Sequence, residues 1–327
     1  MRFLIIFMFI FLQAEVSIVT GSKGGTYYPF GKQISELCGN VVGGLNVVST
    51  KGSLDNIKRL LKEPDVKFAI VQYDVLLYMQ EKSKNNPRVR RAINNLRIVM
   101  PLYDEQIHIV AKKNLHIRNL NELNGLRVSV GSKGSGTYIT AKNIIRYAQI
   151  DFNDIVYLSL KDSLKALKNS QIDAFFYVAG VPAKMFNVSK YNYERVYNFY
   201  RKNITLLNMD NDYRVNRIYP LKKITPQDYP WLNYSVNTGA VKSVLITYNY
   251  KPNQPSYKRV KKLYQCLYNK LPLLKSSSRY HKKWKEVNPS DFSEIKWKVH
   301  PAVIEFLNNM DKPSSNKDVL DEFFEEL

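Results

Sequence analysis

The sequence has few of the residues that build metal sites or reactive thiol centres. Its 327 residues include two cysteines, Cys38 and Cys266, and four scattered histidines, with no spacing typical of a metal-binding motif. We therefore expect neither a metal nor a cofactor. An oxidising compartment would allow a disulfide between the two cysteines, and two separate buried thiols are the alternative that the sequence leaves open.

The sequence also lacks the short motifs that accompany common enzyme chemistry. It contains no Walker phosphate-binding loop, no G-x-G-x-x-G with a ribose-binding acid downstream, no G-x-S-x-G and no H-E-x-x-H. Asp173, at the start of a predicted strand, is assigned a turn or capping role rather than a catalytic one. Ordinary structural or surface roles are assigned to the four histidines, His108, His116, His281 and His300. We predict that the protein is not an enzyme, with a periplasmic enzyme acting on an anionic small molecule as the alternative.

Beyond the first residues, no apolar run reaches the roughly 18 residues of a membrane helix. The chain begins with Arg2, an apolar run from Phe3 to Leu12, and then Ala14, which is typical of a secretory signal peptide cleaved after that residue. An uncleaved amphipathic or core segment is the alternative. We expect a signal peptide at 1–14 and a mature protein located in the periplasm.

Acidic residues are few relative to basic ones, which gives a net charge of +21 from 49 Lys and Arg against 28 Asp and Glu. Such an excess attracts phosphates over long distances. The basic residues are dispersed, however, and the clusters at 82–91 and 282–283 lack a nucleic-acid-binding signature, so solvated surfaces are the better interpretation. We expect no nucleic acid partner, and a basic nucleic-acid-binding or surface-binding protein is the least favoured alternative.

What the sequence does contain is an alternation of short strand patterns and amphipathic helix patterns, which predicts an α/β fold. A chain of this length exceeds the size at which one core keeps growing, so we expect two lobes with a cleft between them. Within the second lobe's return crossover, 208–231 shows no periodicity and is predicted to be a surface connection. The predicted divisions are the signal peptide at 1–14, lobe 1 at 15–111 and 233–310, lobe 2 with the return crossover at 112–232, and an acidic tail at 311–327.

The strand patterns are short and rich in β-branched residues, and the helix patterns carry one apolar stripe each. Strands are predicted at 16–20, 45–49, 68–71, 107–111, 127–130, 173–178 and 240–246. Helices are predicted at 31–38, 54–61, after Thr137, around 160–167 and at 260–271, with Gly39 as the stop of the first.

Two segments echo each other, Gly21 to Tyr28 and Gly131 to Tyr138, and each follows a predicted strand and opens a helix. Glycines in such a turn permit positive φ, and the free amides at the helix start attract an anion. Because ligands of open α/β sheets bind beyond the carboxyl ends of the strands, we expect one loop from each lobe to face the cleft. Tight turns without a ligand are the alternative. The predicted ligand-binding residues are Gly25, Thr26, Tyr27, Lys51, Ser53, Gln72, Ser132, Ser135, Gly136, Thr137, Tyr177 and Gly180.

In the order and spacing of several segments the chain resembles the TAXI family, the solute receptors of one branch of TRAP transporters. The most specific segment is Gly-Gly-Thr-Tyr-Tyr-Pro at 24–29, and the others are 49–53 with Asn56, 68–74, 120–131, 134–137, 173–175, 179–182 and His300-Pro301.

The resemblance implies a type II periplasmic-binding-protein fold, in which two α/β lobes are joined by a hinge with a ligand cleft between them. It also implies binding without catalysis, and delivery of a small carboxylate such as glutamate, 2-oxoglutarate or a related dicarboxylate to the TRAP membrane permease subunits. We expect a monomer. The chain departs from its relatives at Lys23, Lys51, Lys133 and Tyr138, which leaves the identity of the ligand open.

Overall fold

A computed structural model describes residues 16–310 of the chain. The predicted signal peptide and acidic tail lie outside the described residues. Within 16–310, ten strands form one mixed sheet: β1 Val16–Val19, β2 Leu45–Val48, β3 Val66–Gln72, β4 Leu96–Lys112, β5 Arg127–Ser129, β6 Asp154–Val156, β7 Ala174–Ala179, β8 Ile204–Leu206, β9 Leu221–Ile224 and β10 Val236–Tyr248.

Helices cover both faces of this sheet. The described chain has ten α-helices and, among its shorter turns, a 3-10 helix at Lys282–Glu286. The α-helices are α1 Tyr27–Cys38, α2 Ser53–Lys62, α3 Tyr73–Ser83, α4 Pro87–Ile93, α5 Gly136–Ala148, α6 Leu160–Lys168, α7 Lys190–Asn203, α8 Tyr213–Asn216, α9 Pro255–Ser276 and α10 Pro301–Met310. None of the helices within 16–310 has the length and apolarity that a membrane crossing requires.

The strand order β2-β1-β3-β10-β4-β7-β5-β6 divides the molecule into two lobes. In the first lobe β1 pairs in parallel with β2 and β3, and in the second lobe β5 pairs in parallel with β6 and β7. The two antiparallel strands between them, β4 and β10, are the longest of the sheet at 17 and 13 residues. Each strand runs through both lobes, since β10 pairs with β9 at its start and with β3 near its end.

The connection between the lobes therefore consists of two continuous strands rather than loops. The expected boundaries at 111/112 and 232/233 coincide with the end of β4 and with the turn before β10. These boundaries would assign β10 and all of β4 except Lys112 to lobe 1. However, β4 also pairs with β7 and β8 of the second lobe. The division into these residue ranges stays a prediction.

Cys38 and Cys266 form a disulfide, which is one of the two states that the sequence left open. It joins the end of α1 to the middle of α9 across 228 residues of chain, with a Cα–Cα distance of 5.9 Å. Both helices cover the same face of the first lobe, where Phe30 of α1 stacks on Trp284 with ring centroids 4.3 Å apart. The disulfide thus links the first part of this lobe to the segment that returns to it.

The predicted surface connection at 208–231 is wrong in one respect. Three of its four aromatic residues, Tyr219, Tyr229 and Trp231, are buried, with at most 3% of their surface exposed, whereas Tyr213 is exposed. Tyr229 stacks on Trp231, and its hydroxyl donates to or accepts from Nε2 of His108 at 2.7 Å. The segment contains one helix and one strand of only four residues each, α8 and β9, so its burial leaves no periodicity long enough to recognise in the sequence.

Candidate functional site

A cavity of about 250 Å³ lies between the lobes at the carboxyl ends of the parallel strands. Five helices begin at its wall, namely α1, α2, α3, α5 and α6. The residue preceding each helix lines the cavity, and these five residues are Thr26, Gly52, Gln72, Ser135 and Ser159. Each helix start carries backbone amides without intrahelical partners and the positive end of the helix dipole. The wall of the cavity is therefore rich in hydrogen-bond donors and favours an anion.

The predicted site residues come together at this cavity with one exception. All of them except Gly180 line it, and they include members of both echoing loops. Gly180 lies behind the wall, where its carbonyl accepts a hydrogen bond of 3.0 Å from Oγ1 of Thr26. A Cβ at position 180 would lie 2.8 Å from the ring of Tyr103, so this glycine allows a close approach of the lobes rather than a contact with the cavity.

The lysines at the loop tips differ in their positions. Lys51 lines the cavity at its solvent-exposed rim. Lys133 and Lys23 lie over tyrosine rings instead, with Nζ at 4.6 Å from the ring centroid of Tyr157 and at 5.9 Å from that of Tyr28. Lys51 is therefore the only cation among the described residues that line the cavity.

The two lobes are in direct contact around the cavity, which defines a closed conformation. The carbonyl of Gly134 in the second lobe accepts the amides of Leu54 and Asp55, at 3.1 and 3.2 Å, from the start of α2 in the first lobe. Gly136 lies so close to the opposite lobe that a Cβ there would be 1.4 Å from Oε1 of Gln72. Only glycine fits at this position without a shift of the opposite lobe.

A buried carboxyl group also bridges the lobes. Oδ2 of Asp74, at the start of α3, accepts hydrogen bonds from Oγ1 of Thr140 at 2.7 Å and from the hydroxyl of Tyr219 at 3.0 Å, both in the second lobe. Thr140 also accepts a longer contact of 3.4 Å from Nε2 of Gln72. Burial raises the pKa of Asp74 to about 6, although these hydrogen bonds act in the opposite direction.

Sequence reasoning missed one acidic residue of the site, Glu105. It lies in β4 where this strand passes between the lobes, lines the cavity and is only 3% exposed. Desolvation by burial raises the pKa of Glu105 to about 8. The sequence signal was the pair of acids Asp104 and Glu105 within the otherwise largely apolar stretch from 98 to 111, because strand alternation must point one of the two side chains into the protein.

The Ser159 and Leu160 positions at the start of α6 were also missed, because this helix follows the short strand β6 without a glycine-rich loop. Phe176 and Val178 line the same wall beside Tyr177. Burial raises the pKa of Tyr177, so its hydroxyl remains a hydrogen-bond donor at neutral pH. These residues complete the second lobe's side of the cavity.

His108 lies in β4, the same strand as Glu105, and its contacts indicate a structural role. It is fully buried, its Nδ1 lies 3.0 Å from the carbonyl of Gln106, and its ring stacks on Phe186 with centroids 5.4 Å apart. Burial lowers the pKa of His108 to about 4, so the ring is neutral. It does not line the cavity.

Asp173 lies at the opposite end of β7 from the cavity. Its carboxylate accepts from Nε and Nη2 of Arg127 at 2.9 and 2.8 Å and from Nζ of Lys112 at 2.9 Å. Hydrogen bonds from Arg127 hold the pKa of this carboxyl well below its usual range. Asp173 thus connects the ends of β4 and β5 to the start of β7 through ion pairs, which is a structural role other than the turn or capping role expected from the sequence.

Known structures share this architecture. A protein from Bordetella bronchiseptica RB50 matches with a TM-score of 0.50 and 14% identity, over 84% of this chain and 76% of that chain. A protein described as a periplasmic transporter matches with a TM-score of 0.50 and 12% identity, over 84% and 88% of the two chains. At such identities the likeness shows the fold alone, and this fold is the predicted one, the two-lobed fold of periplasmic binding proteins.

Fold and cavity together define a two-lobed α/β protein of the periplasmic-binding-protein fold, with a cavity between its lobes. The family follows from the sequence match over residues 18–304, which spans both lobes. The chain belongs to the NMT1-like family.

Proposed function

We propose that this protein is a periplasmic receptor that captures a small carboxylate between its lobes and delivers it to the membrane permease of a TRAP transporter. The observation that carries the proposal is the convergence of five helix starts from two lobes on one cavity. The segments that resemble those of the TAXI family support the finer assignment to TRAP transport.

The ligand chemistry follows from what faces the cavity. Five helix starts direct the positive ends of their dipoles towards the cavity, although two amides of α2 are already bound to Gly134 and one amide each of α5 and α6 to a capping serine. The hydroxyls of Ser132, Thr137 and Tyr177 add further donors. Each helix N-terminus typically stabilises a bound anion by about 0.3–1 kcal/mol, and by more in buried geometries. A carboxylate is therefore bound by dipoles and hydroxyl groups, with a cation, Lys51, only at the rim.

Binding and lobe closure are coupled in this proposal. Closure brings the amides of α2 onto the carbonyl of Gly134 and the hydroxyl of Thr140 onto Asp74. A ligand that contacts both lobes adds interactions that the open form lacks, and only such differential contacts drive closure. A shift from mostly open to mostly closed requires about 5.5 kcal/mol, which several charge-assisted hydrogen bonds of about 1.5–3 kcal/mol each would supply. The permease would then recognise the closed shape.

Binding rather than catalysis is what the lining residues support. Among the described residues of the cavity wall, no histidine accompanies the serine and threonine hydroxyls, so none of them is paired with a general base of the usual kind. Ser53 Oγ accepts the amide of Gln72 at 3.0 Å, and Thr137 Oγ1 accepts the amide of Val178 at 3.1 Å. These hydroxyl groups hold the backbone of the site in place.

The test is a titration of the chain without residues 1–14. Glutamate, 2-oxoglutarate and C4-dicarboxylates are added while the melting temperature is followed, with putrescine, a diamine without a carboxylate, as the control. A ligand at 100 times its Kd stabilises the native state by about 2.7 kcal/mol, so the melting temperature should rise clearly for at least one carboxylate. If no carboxylate raises it, the proposed function is wrong.

A further inference from the structure

Glu105 is an acid in a cavity whose other walls favour an anion. Its strand, β4, links the two lobes, so the side chain faces the cavity whichever lobe first contacts the ligand. With 3% of its surface exposed, the carboxyl group is largely removed from solvent. Burying an ionised carboxylate without a partner costs several kcal/mol, so a group of this kind in a binding site calls for an explanation.

Glu105 has one hydrogen-bond partner among residues 16–310. The hydroxyl of Tyr27 donates to its Oε2 at 2.5 Å, and no donor within this part of the chain reaches Oε1. The charge of the buried cation Lys283 acts on Glu105, but its Nζ is bound to Glu286 at 2.6 Å. Residues 16–310 therefore leave one oxygen of this carboxyl group, and its charge when ionised, without a partner.

The cavity thus has two chemically distinct regions. Helix starts and hydroxyl groups line most of it and are suited to a carboxylate, while Glu105 is suited to a cation or to another hydrogen-bond donor. The cavity volume of about 250 Å³ is small for a ligand pocket. A single compact ligand must therefore carry both the carboxylate and the group that faces Glu105. A carboxylate and an ammonium group on one short carbon chain meet these requirements.

We propose that Glu105 binds the ammonium group of the ligand, and that the receptor thereby selects an amino acid over the 2-oxo acid or plain dicarboxylate of the same carbon skeleton. The inference rests on the proposed function and narrows its substrate class. An ammonium group donates to Oε1, supplies the missing counter-ion and lets the carboxyl group ionise inside the closed site. A keto or methylene group at the same place offers no donor.

Proton exchange gives this selection a signature of its own. Burial raises the pKa of Glu105 to about 8, so in the empty closed site the group carries a proton at pH 7. An oxo acid leaves that proton in place in the closed site, whereas an ammonium group keeps the carboxyl group ionised. Binding of the oxo acid should therefore take up about one more proton from the buffer than binding of the matching amino acid. The titratable and charged groups around Glu105 are Tyr27, Asp74, Tyr103, Asp104, Tyr177 and Lys283. Burial raises the pKa of the three tyrosines, so they stay protonated at this pH.

Isothermal titration calorimetry at pH 7 tests the proposal with a panel of amino acids and their matching 2-oxo acids, with glutamate, 2-oxoglutarate and glutarate as the first set. A lost hydrogen bond to a charged group corresponds to roughly a tenfold change in affinity or more, so the wild type should bind the best amino acid at least about tenfold more tightly than its oxo acid. Repeating both titrations in two buffers of different ionisation enthalpy measures this difference in proton uptake.

Variants separate this role from a structural one. Glu105→Gln keeps the shape and the partner for Tyr27, so it should weaken amino acid binding at least about tenfold, leave the oxo acid within about threefold and abolish the difference in proton uptake. Glu63→Gln, at a half-buried position just after the end of α2 and outside the cavity wall, is the matched control and should change none of these values. Should Glu105→Gln not fold, the selectivity and the proton uptake of the wild type still decide.

The outcomes are distinguishable. If a 2-oxo acid or glutarate binds the wild type as tightly as the matching amino acid, or if Glu105→Gln weakens all ligands equally, the proposal for Glu105 is wrong while a carboxylate receptor remains. If carboxylates bind and no amino acid does, it is wrong as well. If nothing in the panel binds, the proposed function itself fails.

Discussion

Replacing Gly136 with alanine should weaken ligand binding by blocking lobe closure. A Cβ at this position would lie 1.4 Å from Oε1 and 2.4 Å from Cδ of Gln72, and 2.8 Å from Oγ of Ser53. Gly136 opens α5 in the second lobe, whereas the two opposing residues belong to the first. Its backbone does not have positive φ, so alanine is compatible with the second lobe itself. The substitution should therefore destabilise only the closed arrangement of the lobes.

The size of the effect follows from the Gln72 side chain. To make room, this side chain must rotate and lose its contact with Thr140, in a region where only 3% of Gln72 is exposed. Leaving a buried polar group unpaired costs about 1–3 kcal/mol, which corresponds to roughly 5- to 150-fold weaker binding. The affinity of an open–closed protein falls by the same factor as its closed population.

Calorimetry with the ligand found for the wild type measures this loss, and small-angle scattering measures the fraction of closed molecules. Gly24→Ala is the matched control in the echoing loop, because a Cβ there meets only the flexible Met185 Cε at 3.9 Å. Truncating the opposing side chain, Gln72→Ser, should restore part of the closure lost in Gly136→Ala. Binding by Gly136→Ala within about threefold of the wild type would refute the reasoning, as would an equal loss in Gly24→Ala.

Three further predictions concern the framework of the site. Replacing Cys38 and Cys266 by alanine should lower the free energy of unfolding by about 2–5 kcal/mol, measured by urea denaturation, because the disulfide closes a loop of 228 residues; an unchanged midpoint would contradict this. Because burial raises the pKa of Asp74 to about 6 from its usual 3.8, its contribution to stability is full below pH 4 and is lost as pH rises through 6. The unfolding free energy of the wild type should therefore fall relative to Asp74→Asn between about pH 4 and 6 and run parallel to it above pH 7, and parallel curves throughout would count against the assignment. Asp173→Asn should destabilise the protein by about 1–3 kcal/mol through the lost ion pairs with Arg127, yet leave the ligand Kd unchanged, and a changed Kd would disprove its purely structural role.

Local signals in the sequence were sufficient for most of the cavity wall. A strand, a glycine-containing turn and a helix follow one another within a few residues at both echoing loops, and the backbone geometry of such a unit depends on its own residues. The prediction that Ser53 and Ser135 would line a cavity agrees with their positions in the structure. Whether these residues bind a ligand stays a prediction.

Other features depend on contacts between distant parts of the chain, which no local pattern records. Tyr219, Tyr229 and Trp231 are buried although their segment shows no periodicity, because its helix and strand are too short to give one and the burial comes from packing against the second lobe. The pairing of Cys38 with Cys266 likewise required α1 and α9 to lie side by side.

The sequence by itself determined the alternation of strands and helices, the two-lobed class of the fold and the glycine loops that place helix starts at one edge of the sheet. These properties arise from hydrophobic periodicity and turn chemistry, which are local. Only the tertiary structure decided which groups meet across the cavity: Gly136 against Gln72, Asp74 against Thr140, and Glu105 in the donor-rich wall. The burial that raises the pKa of both acids is a tertiary property, because segments distant in the sequence remove water from around them.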